Sequence, residues 1–551
     1  MKRSYGDESH DQHPAKVRRL SRPDRLSRLS DELLVRILSF VPVPSLVVCQ
    51  RISKKFSRLS IDSELWKAAY YRTFVLPRAS RIPGIRDPAT PNRLHYSSRL
   101  SKWLDDSSLI RDGVCTHWKQ QYRLRHNWAQ GQCAVSEILV AERPPEPPLL
   151  VMMSNNVVYA ADSISGLRAW RSKFDRELLA SVSLTSDAGI PRLPISMAID
   201  ASERNSGTER VVLGFEDGSF SVFALRTDEK RLDNLYTHPA STNGMLSAIA
   251  FASPYLLTMT EDHLLSLYLF PETSDVSGPL DDPQLLYSLR SSTAWPPVSL
   301  SLRITASSMT AAIAYSLPTY LSGWTVGVQE LRLSHEGVLL ESRLATAADE
   351  HSFTLSAYRS ASSSTRSPSP FLGSARQNTL TSGPSKSNPT LMSYSHPYLL
   401  VAHPDNTLSL YLVRSTSSAL SISSGNRLWG HTSSISGAHV GMRGKAVSVS
   451  RLGDELRVWD LEGGMASSAL RKRSRNGELS VRIQPSRVVD EEDDAQEEDS
   501  SGRRHGLRVA LDQGFDDSTV SRGWVGFDEQ NVIVLREKSE GSQALVVYDF
   551  S

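Results

Sequence analysis

Cysteine is scarce in this chain. Cys49, Cys115 and Cys133 are the only three in 551 residues. They lie far apart and form no Cys-x-x-Cys, so neither a disulfide framework nor a thiolate zinc site is expected. Long apolar runs are missing too. The richest stretch is interrupted by Arg36, Pro42 and Pro44, so no segment reaches the run of about eighteen apolar residues that a membrane helix needs. The N-terminus is polar and has no signal-peptide core, and an intracellular chain is expected. An excess of one charge is likewise absent: 62 Lys and Arg against 60 Asp and Glu leave a net charge of +2. That is too small to imply direct nucleic-acid binding. Catalytic motifs are lacking as well, with no phosphate-binding G-x-x-x-x-G-K-[ST], metal helix H-E-x-x-H, nucleophile elbow G-x-S-x-G or dinucleotide fingerprint. The 14 His are scattered. No cofactor, metal or catalytic residue is expected, and an enzyme would have to be assembled from distant loops.

What the chain does have is a dense apolar stretch over 29–66, LSDELLVRILSFVPVPSLVVCQRISKKFSRLSIDSELW. Leu33, Leu34, Ile37, Leu38 and Val41 recur at the spacing of one helix stripe. Ser30 stands where an N-cap belongs, and Asp31 and Glu32 put negative charge in the first turn. Pro42 and Pro44 are expected to end this helix. Ser45 is expected to cap a second helix carrying Leu46, Cys49, Ile52, Phe56 and Leu59, and Asp62 a third carrying Leu65, Trp66, Ala69 and Tyr70. A bundle of about forty residues cannot hide so many apolar side chains, so some should face a partner or the next segment.

Leu29, Glu32, Leu33, Leu34, Ile37, Leu38, Ser39, Leu46, Ile52, Ser53, Lys54, Phe56, Leu59, Leu65 and Trp66 fall in the order and spacing of the F-box. The stretch resembles that motif, through which substrate receptors bind the small linker subunit of Skp-cullin-F-box ubiquitin ligases. Ser30 departs from the pattern, since Pro usually follows the first Leu. The resemblance implies that Leu29, Leu33, Leu34, Ile37, Leu38, Val41, Leu46, Ile52, Phe56 and Trp66 bind the Skp-type linker, and through it a cullin.

Ahead of this motif, residues 1–28 hold eight Lys or Arg against four Asp or Glu without apolar periodicity, and read as a disordered tail. Within it Lys2 and Arg3, followed by Lys16, Arg18 and Arg19, resemble a bipartite nuclear-import signal, so a nuclear or cytoplasmic location is expected. A Pro- and Arg-rich connector around Pro77 to Pro91 leads to a helix with Val114, Trp118 and Tyr122 on one face. Trp128 follows in RLRHNWAQGQC. This segment resembles the linker of F-box/WD-repeat proteins, in which a helix and an Asn-Trp-x-x-Gly turn seat the helical part on the first blade of a propeller.

From Cys133 onward the pattern changes to short strands and tight turns. Paired strands recur at 157–170, 211–225, 255–270, 398–413, 446–461 and 524–535, with Asp, Gly, Asn or Glu in the turns. A unit that repeats in this way and cannot bury both faces alone implies blades around an axis. Gly430-His431 and Trp459-Asp460 resemble the WD-repeat signature. In such repeats His, Ser or Thr, a turn Asp and Trp form a hydrogen-bonded network. His431, Ser448 or Ser450, and Trp459 are present here, but Asp454 is out of register for the turn carboxylate. Setting aside Ser- and charge-rich insertions at 359–390 and 468–505 leaves about 50 residues for each of seven blades, or about 44 for each of eight. Seven is the expected number within a range of six to eight, with 300–345 hard to divide. The run Ala544 to Phe550 is expected to pair with Val135 to Val140 and close the ring. The insertions offer Ser367-Pro368 and Ser369-Pro370, a basic cluster at Arg471 to Arg475 and an acidic run at Asp490 to Asp499. Solvated loops are the expected role.

The expected fold class is therefore an α+β multidomain chain, with a small all-α F-box bundle followed by an all-β propeller. Its parts are a tail over 1–25, the F-box over 26–74, a connector over 75–132 and the propeller over 133–551. The expected function is that of a non-catalytic adaptor: the F-box docks on the linker, and the propeller holds an unidentified protein substrate for ubiquitination. A non-catalytic scaffold for nuclear complexes, with a degenerate F-box, is the alternative.

Overall fold

The computed structural model describes residues 26, 28–76, 117–154, 157–171, 177–185, 189–200, 208–271, 278–291, 295–319, 323–347, 388–416, 419–441, 444–450, 455–461, 480–485, 524–537 and 542–551. Two compact units comprise Met1–Arg123 and Leu124–Ser551. No helix among the described residues is long and apolar enough to cross a membrane.

The first unit is built from α1 (Asp31–Leu38), α2 (Val43–Cys49), α3 (Lys54–Leu59) and α4 (Ser63–Tyr70), which continues into a π-helical turn at Tyr71–Val75. Ser30 occupies the N-cap of α1 with extended backbone, but its side chain caps nothing. The start of α1 is held instead by Asp31, whose carboxylate accepts from Arg58 Nη2 at 2.5 Å and lies 3.2 Å from Lys55 Nζ. The two prolines do not simply end α1. Pro42 is the N-cap of α2 and Pro44 lies in its first turn, where a missing N–H breaks no helical bond. Ser45 is therefore inside α2 rather than capping it. The single helix expected through Leu59 is two helices, because Ser53 starts a new one by accepting from Phe56 N at 3.3 Å. Asp62 caps α4 as its position suggests, accepting from the backbone of Glu64 and Leu65.

Leu34, Leu38, Leu46, Phe56, Leu59, Leu65 and Trp66 form the core of this unit, with Trp118 and Tyr122 of α5 (Trp118–Gln130) packed against it. Trp66 donates its indole N–H to Ser60 O at 2.8 Å and meets Tyr122 edge-on with ring centroids 5.5 Å apart.

The second unit is a seven-bladed propeller. From inside outward, blade 1 comprises Leu150–Ser154, Val157–Asp162, Gly166–Arg171 and Leu178–Val182. Blade 2 comprises Pro194–Ile199, Thr208–Phe215, Phe220–Arg226 and Arg231–His238, and blade 3 comprises Leu246–Ala252, Tyr255–Thr260, Leu264–Leu269 and Gln284–Arg290. The stretch that resisted division is blade 4, with strands Trp295–Ile304, Met309–Thr319, Gly323–Leu333 and Leu339–Thr346. Blade 5 comprises Leu391–Ser395, Tyr398–Ala402 and Leu408–Ser415, then an outer strand in two pieces, Leu420–Ile422 and Asn426–Leu428. Blade 6 comprises Ile435–Val440, Lys445–Ser450, Leu456–Asp460 and Ser480–Arg482. Its outer strand lies inside the expected insertion 468–505, where Val481 and Ile483 supply a short alternating pattern. Blade 7 comprises Val525–Phe527, Asn531–Glu537, Gln543–Asp549 and, from the other end of this unit, Gln132–Ala141.

That last pairing closes the ring in the register Val135↔Tyr548 to Leu139↔Ala544. Closure is equally clear in the cores. Seven apolar clusters each combine side chains from two neighbouring blades, running from blades 1 and 2 round to blades 7 and 1. Each second strand is covered on both faces, as in Val157–Asp162 and Tyr255–Thr260, which are buried throughout. A continuous apolar strand of this kind is stable only between two other sheets.

Candidate functional site

The ten side chains assigned to linker binding divide sharply. Leu34, Leu38, Leu46, Phe56 and Trp66 are buried in the bundle core and offer no free surface. Leu29 and Val41 are half-buried against that core. Only Leu33, Ile37 and Ile52 are exposed. The reason is helical phase: Leu34 and Leu38 point inward, while their neighbours Leu33 and Ile37 sit about 100° round the axis. Five of the ten assigned side chains thus lie in the core of the bundle.

Besides Leu26 and Ile61 at its margins, the bundle exposes three further apolar residues that were not assigned from sequence: Phe40, Val47 and Val48. Phe40 continues the Leu33–Ile37 row at the next helical interval, its backbone N–H still bonded to Ile37 O at 3.1 Å. It is 72% exposed, and the Arg36 guanidinium lies 5.0 Å over its ring. The signal that could have found it is the i, i+4, i+7 spacing of Leu33, Ile37 and Phe40. Six large apolar side chains, Leu33, Ile37, Phe40, Val47, Val48 and Ile52, are therefore left to solvent by helices α1 and α2 and the turn that follows. Glu32 beside them is exposed as well. Such a surface suits a largely apolar protein contact.

Within the second unit, the Asn-Trp-x-x-Gly turn seats on the C-terminal strands of blade 7 rather than on blade 1. Trp128 stacks on Phe550 with centroids 4.1 Å apart and donates its indole N–H to Glu529 O at 2.9 Å, and Asn127 Nδ2 donates to Phe550 O. Lys445 Nζ sits 4.3 Å over the Trp128 ring. Gly131 turns the chain into blade 7 at φ +69°, where an added Cβ would lie 2.6 Å from Arg482 O. Both conformation and space demand glycine.

Blade 6 does contain the buried polar network, with Glu455 in place of the expected Asp. Trp459 Nε1 donates to Ser448 Oγ at 2.8 Å, and Ser448 Oγ meets His431 Nε2 at 2.6 Å. His431 Nδ1 lies 3.5 Å from Glu455 Oε2, which also accepts from Thr432 N at 3.0 Å. Arg457 Nε donates to Glu455 Oε1 at 2.8 Å. Burial opposes ionisation of Glu455, but the Thr432 N–H and the Arg457 guanidinium outweigh it and hold the carboxyl below its usual range. Glu455 thus supplies the carboxylate of the network, although Asp454 is out of register for it. In blade 5 the buried His403 bonds Ser409 Oγ at 2.8 Å, and burial pushes its imidazole down to about 4.

The basic residues Lys2, Arg3, Lys16, Arg18 and Arg19, the connector around Pro77 to Pro91, Val114, and both phosphorylatable and charged runs of the insertions lie outside the described residues. No group of three His, Cys, Asp or Glu that could hold a metal occurs among the described residues.

A family model described as F-box protein pof12 beta-propeller matches residues 133–551, and one described as F-box-like matches residues 26–72. The chain belongs to the F-box protein pof12 beta-propeller family. An F-box generally implies binding to a Skp-type linker. Among curated proteins, the F-box protein dre-1 of Caenorhabditis elegans is 31% identical over 104 residues, covering 19% of this chain and 9% of that protein. The chain thus spans less than a tenth of that relative's length. Among solved structures, the WD40 beta-propeller domain of Doa1 matches at 10% identity and TM-score 0.34, over 76% of this chain and 96% of that one. The beta-propeller domain of Cps50 (Swd1) of Myceliophteria thermophila matches at 7% identity and TM-score 0.37, over 75% of this chain and 99% of that one. Saccharomyces cerevisiae Sqt1 matches at 11% identity and TM-score 0.35, over 72% and 81%. Likenesses this faint add nothing to the seven sheets already described.

Proposed function

We propose that this chain is the substrate-recognition adaptor of a Skp-cullin-F-box ubiquitin ligase. The row Leu33, Ile37 and Phe40, with Val47, Val48 and Ile52, is covered by a Skp-type linker, and the cullin is reached through it. The propeller holds a protein substrate, so that a substrate lysine meets the charged conjugating enzyme at high effective concentration. The adaptor contributes no bond chemistry. The observation that carries this reading is the exposure of six large apolar side chains by α1, α2 and the turns that follow them, in a bundle that has already filled its own core. The basic clusters of the N-terminal tail support work in the nucleus.

Ile37→Asp tests the reading. Ile37 is already solvent-facing, so the bundle should stay folded, while a carboxylate buried unpaired at an interface costs several kcal/mol, on the order of a hundredfold or more in affinity. The linker should no longer co-purify with the variant. Recovery of the linker at the wild-type level would refute the assignment of this surface.

A further inference from the structure

Positive charge in the propeller is carried by arginine. Residues 133–551 contain 31 Arg and 6 Lys, against 18 Arg and 7 Lys over 1–132. Lysine is ordinarily among the commonest residues of a soluble domain, so its displacement here is not something solubility requires. Among the described residues of the propeller Arg143, Arg171, Arg231, Arg290, Arg414 and Arg536 are exposed, whereas Lys230, paired with Glu177, is the one exposed lysine. Lys445 is half-buried, with Nζ 4.3 Å over the Trp128 ring. Lys173, Lys386, Lys472 and Lys538 lie outside the described residues.

Some arginines need their fork of donors. Arg168 donates to Val140 O through one Nη and to Asp162 through the other, and Arg457 reaches both Glu455 and Ser480. A lysine ammonium cannot replace such a fork. At the surface the contacts are simpler. Arg290 Nη2 lies 3.5 Å from the Asp262 carboxylate, and Arg231 Nε lies 2.6 Å from that of Asp233. In exposed pairs of this kind an ammonium supplies the same charge.

What separates the two side chains is reactivity. A neutral lysine amine attacks the thioester that joins ubiquitin to its conjugating enzyme. The C–S bond breaks, an isopeptide C–N bond forms at the ubiquitin C-terminal carbonyl, and the amine's proton passes to the departing thiolate. The guanidinium stays protonated and does not attack. An adaptor holds its own surface near the charged conjugating enzyme at the same high effective concentration that it gives a substrate, so its own lysines compete. Resting on the adaptor reading, we propose that the propeller is a poor ubiquitin acceptor by composition. Arginine keeps the charge of its surface while withholding the nucleophile, so modification falls on the substrate held there and the adaptor is spared.

Self-modification in a reconstituted ligase core with no substrate added gives the test. The full chain is combined with a purified Skp-type linker, its cullin and RING partner, activating and conjugating enzymes, ubiquitin and ATP. One variant carries Arg143→Lys, Arg231→Lys, Arg290→Lys, Arg414→Lys and Arg536→Lys together, which keeps the charge and spreads acceptors over blades 2, 3, 5 and 7 and the connection into blade 1. Its melting temperature should match wild type, and an acetylating reagent should label the introduced amines, so that neither misfolding nor burial accounts for the outcome. Mass spectrometry should find ubiquitin on those lysines. The rate of propeller modification should rise at least about threefold, as exposed lysines among its described residues go from one to six. Introduced lysines that carry no ubiquitin, or a wild-type propeller modified as fast as the variant, would overturn the proposal. Co-elution with the linker is scored first. Without it the adaptor reading fails and this proposal with it, whereas co-elution with unmodified introduced lysines sinks this proposal alone.

Discussion

The helical bundle and the propeller treat their apolar residues in opposite ways. In each blade the second strand is sealed between neighbouring sheets, and even the ends of the propeller chain pair with each other to close the ring. Helix α1 instead buries one side of its apolar surface, through Leu34 and Leu38, and leaves Leu33, Ile37 and Phe40 outside. The propeller can close on itself because its repeat supplies a covering sheet on both sides of each blade. Four short helices have no such repeat, and their surplus apolar surface is available to another protein. Self-sufficiency in one region and incompleteness in the other is what an adaptor requires.

The contrast can be broken most forcefully in the bundle core. Trp66→Ala removes the largest buried side chain among the described residues of the bundle, its hydrogen bond to Ser60 O and its contact with Tyr122. A loss of about 3–5 kcal/mol is expected in chemical denaturation, enough to unfold so small a unit. Amide exchange in the blades should remain slow.

Adjacent leucines sharpen the comparison. Leu34→Ala should cost about 2–5 kcal/mol of stability, because Leu34 is 1% exposed, whereas Leu33→Ala, at 55% exposure, should change stability by no more than about 0.5 kcal/mol. Linker affinity should respond the other way for Leu33, falling about tenfold without any change in the melt. Equal stability losses from the two substitutions would remove the distinction between core and contact face.

In the propeller, Ser448→Ala strands both the Trp459 indole N–H and His431 inside blade 6. A cost of about 1–3 kcal/mol in the unfolding free energy follows from unsatisfied buried polar groups. The smallest effect concerns Glu455. Its folded carboxyl lies below its ordinary value, so it binds fewer protons than in the unfolded chain as pH falls through the usual Glu range. Its contribution is fully present above about pH 4.3 and is lost as pH drops through the depressed folded value. Denaturant titrations should show wild type losing its advantage over Glu455→Gln on acidification, and a gap independent of pH would contradict the stated role.

Much of this architecture was legible because both units repeat their apolar residues at diagnostic periods. Five central hairpins, and the first two strands of blade 7, could be read from paired strands with polar turns. Blade 4 could not: its alanine-rich second strand, Met309–Thr319, and long third strand, Gly323–Leu333, lack compact Asp or Gly turn marks between them. The bundle was recognisable from its motif, but its inward and outward residues were not separable, since Leu33 and Leu34 are the same residue type one position apart. Only the packing of α1 against Phe56, Leu59 and Trp66 decides which side is covered. Helix boundaries were obscured for a related reason. A proline can stop a helix or start one, and here Pro42 and Pro44 start α2. The blade 6 network was not legible because the pattern asks for an aspartate in the turn and Asp454 is out of register, whereas it is Glu455 that meets His431, Thr432 and Arg457.

Amide hydrogen exchange of the full chain, with and without a purified Skp-type linker, puts the incomplete surface to the most direct trial. Slowed exchange should be confined to residues 31–52, with the seven blades unchanged. Protection on the blades with none over 31–52, or no protection at saturating linker, would contradict the assignment of the exposed apolar row as the docking surface.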